Sequence, residues 1–162
     1  MSMEVRNKVR GVAVDTNVAK ITLLGVKDRP GIAASLFDPL AQNGVSVDTI
    51  VQNAGEQGAT DLTFTVARND LTSALEVIDP IVREISSRGV ITSDNLAKVS
   101  IVGTGMLNAP GYAAQMFQAL FAAGVNIEMI TTSEIRITCI VSEGSIADAA
   151  QALHKTFQLD EE

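Results

Sequence analysis

Leu23-Leu24-Gly25-Val26-Lys27-Asp28-Arg29-Pro30-Gly31-Ile32-Ala33-Ala34-Ser35-Leu36-Phe37 decides how the rest of the chain reads. An apolar run from Ile21 to Val26 stops at Lys-Asp-Arg-Pro-Gly. A helical pattern follows, with Ala33, Leu36, Phe37 and Leu40 on one face. A strand, a tight turn and a helix start leave the backbone N–H groups of the first helical turn open to an anion. Asp28 stands in the same turn, so a carboxylate lies beside a carboxylate-binding helix end. A ligand with one ammonium and one carboxylate, an amino acid, suits both. A capped helix after a core strand also fits these residues taken alone.

The chain contains that unit twice. Lys20-Ile21-Thr22-Leu23-Leu24-Gly25 pairs with Lys98-Val99-Ser100-Ile101-Val102-Gly103. Beyond a two-residue insertion the offset is 80, and Pro30-Gly31 falls on Pro110-Gly111. Ala33-Ala34, Phe37, Leu40 and Gly44-Val45 then meet Ala113-Ala114, Phe117, Leu120 and Gly124-Val125, and Asp48 and Ile50 meet Glu128 and Ile130. Turn residues, helix face and following strand all keep register, which two unrelated apolar segments would not do.

Each copy reads as strand, helix, two strands and a second helix. The first strands are Ala19 to Val26 and Ala97 to Thr104; the helices run from Gly31 to Gln42 and Gly111 to Ala123, stopping at Asn43-Gly44 and Gly124. The next strands are Val45 to Asn53 with Thr60 to Ala67, and Val125 to Thr132 with Glu134 to Ser142. Asn69 or Asp70 is expected to cap a helix from Leu71 to Ser87, and Ser145 one from Ile146 to Phe157. This β-α-β-β-α order is a ferredoxin-like unit short of one strand. The first copy has a closing strand around Val90-Ile91-Thr92, while after Phe157 the second has only Gln-Leu-Asp-Glu-Glu. A strand is left over at the start, Val9 to Val14, before an expected turn at Asp15-Thr16-Asn17. The economical solution makes that strand complete the second unit, with the first unit inserted and a short connection at Ser93 to Asn95. The fold class is therefore α+β, two βαββαβ units, 18–94 and 9–16 plus 95–160.

Composition narrows the function. With 12 Lys+Arg against 19 Asp+Glu the net charge is −7, and no basic cluster with interleaved aromatics occurs, which argues against a nucleic-acid partner. Hydrophobic residues reach 46% but aromatics only 4%, so the core is aliphatic. Cys139 is the only cysteine, which rules out an internal disulfide and fits a reducing cytosol. In the alternating run Ile135 to Val141 it reads as a small buried hydrophobe. His154 is the only histidine, and no paired carboxylates, nucleophile–histidine set or metal cluster emerges, so neither catalytic residues nor a cofactor are expected. No apolar run reaches the ~20 residues of a membrane span, and Met1 to Arg6 lacks the pattern of a signal peptide. A cytoplasmic protein is expected.

A paired βαββαβ unit with a Pro-Gly turn after its first strand resembles the ACT domain, a small-molecule-binding regulatory module. Val125-Asn126-Ile127-Glu128-Met129-Ile130-Thr131-Thr132-Ser133-Glu134-Ile135-Arg136-Ile137 resembles the run that ends the regulatory region of bacterial aspartate kinases. Gly25 to Gly31, Val51-Gln52-Asn53 and Lys98 to Gly103 are similar too, so the resemblance covers Gly11 to Leu159. The lysine- and glycine-rich nucleotide site of the kinase domain (ATP:L-aspartate 4-phosphotransferase) has no counterpart; Gly103-Thr104-Gly105 is not followed by Gly-Lys-Ser/Thr. A small regulatory β subunit and an excised regulatory half both fit.

The resemblance implies allosteric feedback inhibition by an end product of the aspartate pathway, threonine alone or with lysine. It implies a homodimer through the ACT domains, a kinase-bearing partner chain, and a pocket where the first domain meets the second domain of a partner. The family's effector positions fall on Asp28, Gly31, Ile32, Ala33, Gln52, Asn126 and Ile127. The N–H groups of Ile32 and Ala33 suit the carboxylate, Asp28 the ammonium, and Gln52 a side-chain hydroxyl. The repeat predicts a second pocket of Asn108, Gly111, Tyr112 and Ala113 facing Ser46 and Val47. There Asn108 replaces Asp28, so that site is expected to be weaker. Ser133 and Glu134 fall on positions linked to inhibitor response. A free-standing amino-acid sensor, or the regulatory part of another biosynthetic enzyme, is the alternative reading.

Overall fold

A computed structural model describes residues 9–54, 58–104 and 111–159. Its elements in chain order are β1 (Val9–Lys27), α1 (Ile32–Gln42), β2 (Val47–Ala54), β3 (Ala59–Val66), α2 (Leu71–Glu84), β4 (Gly89–Gly103), α3 (Tyr112–Ala122), β5 (Ile127–Thr132), β6 (Arg136–Ser142) and α4 (Ile146–Thr156). The chain divides into two compact units, 17–94 and 1–16 with 95–162.

In unit 17–94 the strand order is β2-β3-β1-β4, with β3 antiparallel to both β1 and β2. The alternation of β1 sends Ile21 and Leu23 into a core with Leu36 and Leu40 of α1, Phe64 of β3 and Ile78 of α2, all essentially inaccessible to solvent. Phe37 adds an edge-on contact to Phe64, ring centroids 5.3 Å apart. Arg88 N–H and the Ser87 hydroxyl both donate to the Leu24 carbonyl, at 2.8 and 2.7 Å, joining the end of α2 to β1.

The other unit repeats the plan in the order β5-β6-β4-β1. Its core gathers Val99, Ile101, Met116, Leu120, Cys139 and Leu153, together with Val9; Val12 packs against the same cluster. Even a polar detail recurs. Thr22 and Thr63 share a hydroxyl bond across β1 and β3 at 2.9 Å, and Ser100 and Thr138 share one across β4 and β6 at 2.7 Å.

Three local expectations are corrected. The expected turn at Asp15-Thr16-Asn17 and the short connection at Ser93 to Asn95 are both strand, inside β1 and β4. The Asn17 side-chain amide exchanges bonds with Asn69, at 3.4 Å to Oδ1 and 3.3 Å from the Asn69 N–H. Asp70 and Ser145 do stand at the starts of α2 and α4, yet neither side chain caps its helix. Single 3₁₀ turns, Arg68–Asp70 and Glu143–Ser145, lead the chain in instead and occupy donors such as the Asp70 N–H, bonded to the Ala67 carbonyl at 2.9 Å.

Candidate functional site

A cavity of about 120 Å³ opens where β1 ends and α1 begins. Val26, Asp28, Arg29, Gly31, Ile32, Ala33, Gln52, Thr60 and Leu62 line it. A water needs about 10–15 Å³ of such space, and a cavity of about 150 Å³ takes up benzene, so a small amino acid is of the right order.

Local conformation explains the shape. Gly31 lies in the left-handed region at φ 89°, and a Cβ there would meet nothing within 4 Å. Glycine is thus required by the backbone rather than by crowding. No side chain caps α1. The Ser35 N–H returns to the Gly31 carbonyl at 2.9 Å and the Ile32 N–H to the Arg29 carbonyl at 3.3 Å. Of the two N–H groups expected to face a carboxylate, that of Ile32 is therefore partly engaged, while the Ala33 N–H donates no hydrogen bond among the described residues. The Asp28 N–H donates to the Gly58 carbonyl at 2.7 Å, pinning the turn to the start of β3.

Five expected site residues, Asp28, Gly31, Ile32, Ala33 and Gln52, thus surround one cavity. Asn126, exposed, and Ile127, half-buried, belong to the other unit at the start of β5. The second expected pocket is only partly described, because Asn108 lies outside the described residues. Gly111 repeats the left-handed conformation at φ 105°, Ala113 is half-buried in the first turn of α3, and the Tyr112 ring lies 6.3 Å from that of Phe157. Ser46 and Val47 stand at the start of β2 in the opposite unit. Ser133 and Glu134 are exposed in the β5–β6 turn, where the Ser133 N–H donates to the Arg136 carbonyl at 2.8 Å.

Sequence reasoning missed Val26, Arg29, Thr60 and Leu62. The signal existed for the last two: on β3 they are two apart, so both face the side that carries α1. Thr60 is 2% exposed, and its hydroxyl donates to the Asn53 carbonyl beside Gln52. Burial pulls Lys98 below the usual lysine value, opposed by Asp15 and helped by Arg136, and burial pushes the Cys139 thiol up to about 12. Among the described residues no group of three His, Cys, Asp or Glu could hold a metal, and no helix is long and apolar enough to cross a membrane.

Comparison with known proteins follows the same division. Residues 20–83 and 99–157 each match a family profile described as ACT domain. The chain is 44% identical over 152 residues to an aspartate kinase of Stutzerimonas stutzeri, covering 94% of this chain and 37% of that protein. It therefore spans well under half the length of such relatives. The ligand-free crystal structure of the regulatory subunit of aspartate kinase from Thermus thermophilus superposes with a TM-score of 0.88 at 42% identity, covering 93% of this chain and 99% of that one. A crystal structure of aspartokinase α and β subunits matches with a TM-score of 0.85 at 39% identity and the same two coverages. The chain belongs to the family of ACT-domain regulatory subunits of aspartate kinase, and what it covers is the regulatory part of the longer enzymes.

Proposed function

We propose that this chain senses threonine, alone or together with lysine, and relays its level to an aspartate kinase as feedback inhibition. The observation that carries the reading is the meeting of Asp28, Gly31, Ile32, Ala33 and Gln52 around one amino-acid-sized cavity at an uncapped helix start. Ala33 supplies an open N–H for the carboxylate, Asp28 a counter-charge for the ammonium, and Gln52 a partner for the side-chain hydroxyl. Asn126 and Ile127 of a second copy close the pocket, in a homodimer through the ACT domains. The kinase-bearing chain responds through the difference in effector affinity between its states, ~1–3 kcal/mol in typical allostery. The pairing of α and β subunits in a related structure supports that partnership. The domains of this reading are 18–94 and 9–16 plus 95–160, the first inserted into the second, and the site of action is the cytoplasm.

Asp28→Ala tests it. A hydrogen bond to a charged group contributes ~1.5–3 kcal/mol, so threonine affinity by titration calorimetry is expected to fall about tenfold or more. Inhibition of the kinase-bearing chain should be relieved while the circular dichroism of the variant stays native. Unchanged affinity would remove Asp28 from the ammonium role. One threonine per chain is expected in the first pocket, because Asn108 gives the second no carboxylate. Equal occupancy of both pockets would contradict that asymmetry.

A further inference from the structure

We infer that the guanidinium of Arg29 is the counter-charge for the ligand's carboxylate, so that Asp28 and Arg29, adjacent in the turn, read the two ends of a zwitterion. The inference rests on amino-acid binding at this cavity, and it assigns a recognition residue that the repeat and the helix start do not.

Three observations lead to it. Arg29 lines the cavity together with Asp28, which places a positive and a negative residue on one small opening. Both are exposed, and among the described residues neither side chain forms an ion pair or hydrogen bond. Two opposite charges side by side in the chain and unjoined to each other remain available to a third body. The helix start is also a poorer anion site than its sequence promises. The Ile32 N–H, one of its two expected donors, already reaches the carbonyl of Arg29 itself at 3.3 Å. A carboxylate settling on the Ala33 N–H is left short of a donor, and a guanidinium, with its planar fork of N–H groups, supplies it. In a chain of net charge −7, a positive residue at the mouth also favours the approach of the ligand's anionic end over a purely cationic molecule.

The decisive comparison uses L-threonine and L-threoninol, which keeps the ammonium and the side-chain hydroxyl but lacks the carboxylate. Both are titrated calorimetrically into the full 162-residue chain, its Arg29→Ala and Arg29→Lys variants, and Asp28→Ala. Arg29→Ala is expected to weaken threonine about tenfold and to leave threoninol within about twofold of the unaltered chain, with Arg29→Lys recovering part of the threonine affinity. Asp28→Ala should weaken both ligands. Arg29→Ala weakening both ligands by one factor would make Arg29 a structural part of the turn and overturn the inference, as would an unchanged threonine affinity. Failure of the unaltered chain to bind threonine while it binds another amino acid would overturn the choice of effector, and the same Arg29 comparison would then be read with that amino acid and its amino alcohol. Failure to bind any amino acid would overturn the underlying reading and this inference with it.

Discussion

Gly25 shows how one residue ties the candidate site to the frame behind it. It stands at φ +61° in the irregularity of β1 between Leu23 and Val26, and its N–H donates to the Asp61 carboxylate at 2.9 Å. A Cβ there would overlap Nε of Arg88 and lie 3.0 and 3.1 Å from its Cγ and Cδ. The Arg88 side chain is flexible and can yield, but the left-handed backbone cannot be relieved that way. Gly25→Ala is therefore expected to cost ~1–2 kcal/mol in urea unfolding, and to disturb Val26 at the cavity wall; a variant of undiminished stability would show that the bulge rearranges freely. Cys139 supplies a second test at this scale. Its thiol is fully buried, 4.0 Å from the Met116 sulfur, and burial raises its pKa from 9.0 to about 12. Because the folded value is the higher one, the stability contributed by the neutral thiol is complete below about pH 9 and lost as pH climbs toward 12. At pH 8 iodoacetamide should label the native chain only as fast as it opens; labelling at the rate of a free thiol would contradict that burial.

At the scale of elements, the four α-helices among the described residues end alike. Gly44 and Gly124 adopt φ 76° and 73°, and Val45 and Val125 return N–H bonds of 2.9 Å to Leu40 and Leu120. Ser86 and Gln158 take the same left-handed position without being glycine, at φ 55° and 57°, with Ser87 and Leu159 closing the loops on Val82 and His154. Ser86→Gly is expected to gain ~0.5–1 kcal/mol and Gly44→Ala to lose about 1, a few degrees in melting temperature either way for a chain of this size. The glycine stops were legible in the sequence because glycine announces a positive φ; the serine and glutamine stops were not, because nothing local marks them. The same contrast runs through the rest. Strand and helix positions followed from period, and the turn at Asp28 from Pro-Gly, since both are local rules. That Asp15-Thr16-Asn17 stays extended goes with the placing of β1 beside β3 and β4, strands far along the chain, and that Thr60 lines the cavity depends on strand register. Contacts of that range leave no local mark in a single sequence.

For the molecule as a whole, the repeat leaves one consequence that can be tested directly. If the segment before Asn17 completes the second unit, the two units must respond differently to excision. Val9 is 3% exposed within the core of Val99, Ile101, Met116 and Leu153, and Val12 packs against that core. In the strand order β1 is the neighbour of β4, so removing residues 9–16 takes away a partner of β4 and uncovers apolar side chains. Burying a valine fully contributes ~1.5–3 kcal/mol, a large share of the ~5–15 kcal/mol that holds a domain together. A fragment of residues 17–94 should thus melt cooperatively by itself, since its core, from Ala19 to Ile85, needs nothing outside that range. A fragment of residues 95–162 should melt broadly or bind a hydrophobic dye, and should regain a sharp transition when residues 1–16 are joined to it through a short glycine–serine linker. A sharp transition in the bare 95–162 fragment, unchanged by the added segment, would mean that the N-terminal strand is dispensable to that unit and that the insertion reading is wrong.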